Sequence, residues 1–152
     1  MLKPLFLAAA LASAAVFTGC ASMQAPSPQM TENLQQLQNR AWIATQIGNT
    51  EIKAPPAAHS LPSIQFDEAS KRVSGSDSCN RIMGAYTAGN DTLLLSQLAS
   101  TRMACINNGN IDQKYNEALS KVTHYQVFGK TLKLLDRHGN LLIQFESAVQ
   151  PR

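Results

Sequence analysis

The sequence lacks most of what enzymes and nucleic-acid binders are built from. Its three histidines, His59, His124 and His138, include no His-x-His or His-x3-His pair, so no metal set and no cofactor are expected. No Gly-x-Ser-x-Gly occurs, and Gly75-Ser76-Asp77-Ser78 is turn chemistry without a positioned base. Basic residues never come three in a row, whereas polyanion binding needs them clustered on one face, so no nucleic-acid partner is expected. No low-complexity tract is present, and 152 residues leave room for one domain. No apolar stretch reaches the about 20 residues needed to cross a bilayer as a helix. Cysteine is scarce too: only Cys20, Cys79 and Cys105.

What is present begins with an address. One charge, Lys3, precedes a run from Leu5 to Phe17 that only Ser13 interrupts, the shape of a secretory leader. The run ends in Phe17-Thr18-Gly19-Cys20, which resembles a bacterial lipobox, with Phe17 where Leu is usual. The expectation is a leader over residues 1–19, cleavage before Cys20 and acylation of its sulfur. Each buried methylene contributes about 0.8 kcal/mol, so several acyl chains hold the protein firmly on a membrane. The alternative is cleavage at Ala12-Ser13-Ala14, which would leave Cys20 a spare thiol. Ala21, in place of the Asp that resembles an inner-membrane retention signal, points to the periplasmic face of the outer membrane. Of 13 Lys and Arg, Lys3 leaves with the leader, and 12 then face 10 acidic residues, a near-neutral product.

Residues 20–36 read as a tether. Ala21 to Gln29 is small, polar and Pro-containing, able to reach about 30 Å when extended. Thr31 to Arg40 either forms a short polar helix capped by Thr31 or continues the tether. The folded domain is expected over 37–147, and most of it reads as short strands between turn residues. Trp42 to Ile47 ends at Gly48-Asn49; Ile64-Gln65-Phe66 ends at Asp67; Arg72-Val73-Ser74 gives way to Gly75–Ser78. Gly84-Ala85-Tyr86-Thr87 leads to Gly89-Asn90-Asp91, and Thr92 to Leu98 is apolar enough for an interior strand. Ile111, Tyr115, Ala118, Leu119 and Val122 break this rhythm, lying on one face of a 3.6-residue period. They predict a helix over 111–122, with Asn110 and Gln113 spaced as a capping box. His124–Phe128, Thr131–Asp136 and Leu141–Glu146, joined by turns at Gly129-Lys130 and His138-Gly139-Asn140, predict an antiparallel meander. The fold class is mostly β (α+β): a curved antiparallel sheet or open barrel with one packed helix.

In an oxidising periplasm Cys79 and Cys105 are expected to pair, closing a loop of about 26 residues worth roughly 3.5 kcal/mol on the chain-entropy view. Two free buried thiols, or a nucleophilic Cys79 beside a histidine, are the alternatives, and no histidine is close in sequence.

Val73-Ser74-Gly75, Cys79-Asn80, Gly84-Ala85-Tyr86 and Thr101-Arg102-Met103-Ala104-Cys105 strongly resemble the META domain of HslJ-type bacterial lipoproteins. Trp42, Phe66, the helix from 111 and the strands through Leu132, Leu134 and Phe145 match in order, so the resemblance covers about residues 37–146. It departs at Ser78, where the family usually has Gly before Cys-Asn; if that place needs positive φ, Ser is strained there. The resemblance implies a compact β-rich fold, an envelope location and links to heat response and drug tolerance. Relatives in trypanosomatid parasites are tied to secretion and virulence, and no enzymatic activity is established for the family.

Candidate contact residues are Asn80, Arg81 and Arg102, and each has a plainer reading. Asn80 suits left-handed backbone and bracing of its own turn. Arg81 and Arg102, brought together by a disulfide, suit a partner carboxylate or an internal ion pair with Asp77. Trp42 and Tyr86 lie in strand-like runs and read as core. The leading functional expectation is a non-catalytic envelope lipoprotein supporting outer-membrane integrity under heat or drug stress by binding a protein partner. The alternatives are a small-ligand binder using the curved sheet as a cup, and an inhibitor of a hydrolase such as lysozyme presenting loop 75–83. An enzyme ranks last.

Overall fold

The computed structural model describes Gly19 and residues 28–53, 61–106 and 109–147. The first described element is helix α1, Pro28–Leu37. Among the described residues nine strands follow, with one helix between the sixth and seventh. They are β1 Ala41–Ile47, β2 Thr50–Glu51, β3 Ser63–Phe66, β4 Arg72–Ser76, β5 Arg81–Ala88 and β6 Leu93–Ser100, then α2 Ile111–Ser120, β7 His124–Phe128, β8 Thr131–Leu135 and β9 Leu141–Ser147. Cys20, the Ala12-Ser13-Ala14 site and His59 lie outside the described residues.

All pairings between these strands are antiparallel, and the order is β6-β5-β4-β3-β1-β9-β8-β7, with β2 hairpinned onto β1. The short turns foreseen in the meander are there. Gly129 takes φ 57 between β7 and β8, and Gly139 takes φ 82 between β8 and β9, a conformation that costs glycine nothing. The sheet curls so that its two ends touch. Thr92 bridges His124, Leu93 N donates to Thr123 O at 2.9 Å, and Tyr125 N donates to Asp91 O at 2.8 Å. Past Leu93 the edges part. The architecture is the expected open barrel with a packed helix.

Thr92 to Leu98 is corrected by this topology. The run forms a strand, but at the sheet edge rather than in the interior, and beyond Leu93 it is largely exposed. Apolar composition alone could not separate an interior strand from one at the sheet edge.

The interior is filled by rings. Trp42, Phe66, Tyr115, Tyr125 and Phe145 are all essentially inaccessible. Phe66 meets Tyr86, and Tyr115 meets Phe145, edge to face at centroid separations of 5.0 and 6.2 Å, an arrangement that aromatic quadrupoles favour. Each polar ring tip has a backbone acceptor. Trp42 Nε1 donates to Leu37 O (2.9 Å), Tyr86 OH to Asp67 O (3.0 Å), Tyr115 OH to Ser63 O (3.0 Å) and Tyr125 OH to Gly89 O (2.7 Å). Burial disfavours the phenolate in each tyrosine. It raises Tyr86, pushes Tyr125 up to about 12 and drives Tyr115 further still, helped in Tyr115 by the nearby Asp77 charge.

The helices close opposite ends of the barrel. At the end holding Phe66 and the β5–β6 turn, Asn39 N donates to Phe66 O, Gln38 Nε2 to Tyr86 OH, and Asn33 Nδ2 to Asn90 O. At the other end, where β3 starts and β4 stops, α2 inserts Tyr115, Ala118 and Leu119 into the core. The capping box does not form. Asn110 sits at φ 59 and its side chain makes no capping bond. The preceding Gly109 is also left-handed (φ 65), whereas an N-cap side chain needs extended backbone to reach back over the first turn.

Candidate functional site

The residues singled out by sequence gather at the α2 end, where the loop between β4 and β5 meets the segment following β6. Asp77 organises the first loop. It is 1% exposed; Oδ1 accepts from Cys79 N (3.0 Å) and Asn80 N (2.6 Å), and Oδ2 accepts from Asn116 Nδ2 on α2 (2.7 Å). A buried carboxylate needs such donors, and three of them replace the arginine partner considered from sequence. The Asp77–arginine ion pair is therefore not formed: among the described residues neither Arg81 nor Arg102 has a carboxylate within ion-pair distance. Asn116, 39 residues away, gave no sequence signal.

Asn80 repeats the device one step on. Its side chain is buried, and Oδ1 accepts from Met103 N (2.7 Å) and Thr101 Oγ1 (3.1 Å). Thr101 in turn exchanges bonds with Arg81, accepting from its N–H at Oγ1 and donating its own N–H to Arg81 O, both at 3.1 Å. The sulfurs of Cys79 and Cys105 are joined, with Cα atoms 6.0 Å apart. Asn80 thus faces inward as a brace for the 101–103 segment. Arg81 and Arg102 face outward, and both are exposed. Ser78, in the place where Gly is usual, does take positive φ (84°), so the turn keeps its shape with a strained residue in it. Gly75 is demanded by packing: a Cβ there would land on Ser63 O, backbone that cannot swing aside.

This stapled loop carries apolar surface as well as charge. Six large hydrophobic residues are exposed among the described residues, and five of them, Met83, Leu94, Leu98, Met103 and Ile106, lie on β5, β6 or the segment after β6. Met103 is 63% and Ile106 84% exposed beside Arg102. The sequence places Leu94 and Leu98 in a run expected to be interior and carries no signal for the other three.

A second feature joins residues that looked unrelated in sequence. A shallow groove of about 350 Å³ between β7 and the β8–β9 turn is lined by Asp91, His124, Asp136, Arg137 and His138. Its polar groups are largely spoken for. Asp136 accepts from His138 N, Asn140 N and Asn140 Nδ2; Arg137 Nε donates to His138 Nε2; His124 Nδ1 lies 2.8 Å from Thr123 Oγ1. The bonds to Asn140 hold the Asp136 carboxyl below the usual carboxylate range. Among the described residues no three side chains of metal-ligating type converge.

The profile of the META domain family matches residues 35–149, most of the chain. The chain belongs to that family. The META domain here is also similar to solved structures. A protein from Burkholderia xenovorans determined by NMR shares 24% identity at a TM-score of 0.60, with 87% of this chain and 97% of that one covered. A second protein solved by NMR shares 26% at 0.59, covering 75% and 93%. A DUF4847 family protein from Bacteroides vulgatus, in a 1.00 Å crystal structure, shares 21% at 0.53, covering 76% and 96%. These likenesses support the fold and carry no activity with them. No curated protein matches the chain.

Proposed function

We propose that this META domain protein is a non-catalytic lipoprotein, anchored through Cys20 to the periplasmic face of the outer membrane. In that place it supports envelope integrity under heat or drug stress by holding a protein partner. One observation carries the reading. Arg81, Arg102, Met103 and Ile106 form an exposed ridge beside a disulfide, braced from beneath by Asp77 and Asn80, over a barrel whose interior is already full. Ordering a surface before binding removes the entropy that binding would otherwise cost, and arginine beside apolar side chains is typical of interface centres. A ligand cup is disfavoured by the same interior, since Trp42, Tyr115 and Tyr125 occupy the space a small molecule would need.

The test is cross-linked capture by the full lipoprotein in intact envelopes, comparing wild type with an Arg81→Glu/Arg102→Glu double variant. The expected result is a discrete adduct that the double variant loses while keeping its stability. A deletion strain as tolerant of heat and antibiotics as its parent would remove the stress role. A mature N-terminus other than acylated Cys20 would remove the anchor.

A further inference from the structure

Accepting the partner reading above, we infer that the open edge of β6 receives an added strand. The occupant is an extended segment of the protein partner, apolar at alternate positions and acidic where it reaches Arg81 and Arg102. Strand addition of this kind draws affinity from main-chain hydrogen bonds and specificity from every second side chain.

Four observations place it there. First, the edge is unpaired. Leu93 N–H points away from β5, to Thr123 O; by the two-residue period of a strand Leu95 N–H points the same way, where no strand of the described residues lies. Thr101 N–H points to Arg81 O, so the N–H of its neighbour Ser100 also faces outward. Second, the inner face of β6 loses its cover along its length. Leu93 is 1% exposed, Leu95 is half-buried, and Leu98 is 37% exposed over Gly84, as β7 departs and no strand among the described residues replaces it. An added strand would complete the barrel wall over these leucines.

Third, the segment after β6 is drawn off the edge rather than across it. Asn80 Oδ1 and the Cys79–Cys105 link pull residues 101–105 toward the start of β5. Fourth, the charge is one-sided. β6 itself, Leu93–Ser100, contains no charged residue, and its far end abuts Arg81 and Arg102, which have no ion-pair partner among the described residues. Native edges are usually blunted by charge or proline, and neither is present here. One device is present, a bulge at Gln97 (φ 53) that sets Leu98 over Gly84. It bends the edge, so the incoming strand must follow the bend, which selects among partners instead of refusing them all.

Amide hydrogen exchange on the full mature chain tests this, with a nine-residue peptide alternating Val and Thr and ending in two Glu as the probe. Leu95 and Ser100 amides should exchange about tenfold more slowly with the peptide at saturation, as amides do on joining a ladder. The slowing should weaken when Lys replaces Glu and vanish when Pro is placed mid-peptide. Leu95→Pro and Ser100→Pro should abolish it, whereas Ser100→Ala should not. If Leu95→Pro fails to fold, Ser100→Pro, at an exposed strand end, decides. Slow exchange of Leu95 and Ser100 in the free monomer means the chain covers its own edge. Protection that rises with protein concentration, together with a dimer by sedimentation, means a second copy covers it. Either result overturns the inference. So does unaltered exchange with the Glu peptide; if the adduct sensitive to Arg81→Glu/Arg102→Glu persists in Ser100→Pro, strand addition fails and the ridge reading stands.

Discussion

The two sides of this barrel solve the problem of order differently. Around β1, β9 and β8 the chain is held by burial: alternate residues point inward onto Trp42, Tyr115 and Phe145, and every ring polar atom has an acceptor. Around the β4–β5 loop and the segment after β6 there is little interior to bury. Order there comes from a disulfide and from two side chains, Asp77 and Asn80, that collect backbone amides. The difference teaches that a surface can be kept rigid while its apolar and charged residues stay outside, provided its fastening lies beneath it.

Substitutions should break that contrast in a definite order. Trp42→Ala empties the filled side and should cost about 3–5 kcal/mol, enough to threaten folding, whereas Leu94→Ala on the open side should stay within about 0.5 kcal/mol; denaturant midpoints check both. Cys79→Ser with Cys105→Ser should cost roughly 3.5 kcal/mol on the chain-entropy model, with faster amide exchange confined to 101–106 at first. Asp77→Ala leaves two amides and the Asn116 side chain without their acceptor, and about 2–3 kcal/mol should be lost although no exposed atom changes.

pH probes the buried rings without mutation. The only tyrosines, Tyr86, Tyr115 and Tyr125, are all raised above 10 by burial, so the folded state keeps their protons. Their contribution is present below pH 10, the unfolded value, and is lost as the unfolded chain ionises above it. Absorbance at 295 nm should therefore show tyrosinate from Tyr115 and Tyr125 only in a cooperative rise with unfolding; a normal titration by either of these two would break the filled side of the comparison. The smallest effect is at acid pH. Asp136 is held below its ordinary value of 3.8 by Asn140, so its contribution is present above that pH and fades as pH falls through the lowered one. Asp136→Asn should flatten that end of the stability curve slightly.

Local rules made part of this legible in sequence. The period of Ile111, Tyr115, Ala118 and Leu119 located α2, and glycines at 129 and 139 located two hairpins, because those signals act over a few residues. The edge position of β6 was not legible. It depends on β1 pairing with β9 and on where β7 leaves the sheet, contacts far apart in sequence. The same distance hid Asn116 behind Asp77. Asn110 misled for a local reason: its spacing fits a capping box, but the left-handed backbone at Gly109 and Asn110 turns the side chain away from that task. At the candidate site, sequence brought Cys79, Asn80, Arg81 and Arg102 together; it could not say that Asn80 faces in and the arginines out.

The most direct test of partner binding is photo-cross-linking in living cells from two positions of the full chain, Met103 on the stapled ridge and Gln126, an outward-facing residue of β7. A single adduct from position 103, absent from 126 and abolished by Arg81→Glu/Arg102→Glu, is the predicted result. Equal labelling from both positions, or an adduct indifferent to the arginines, would contradict it.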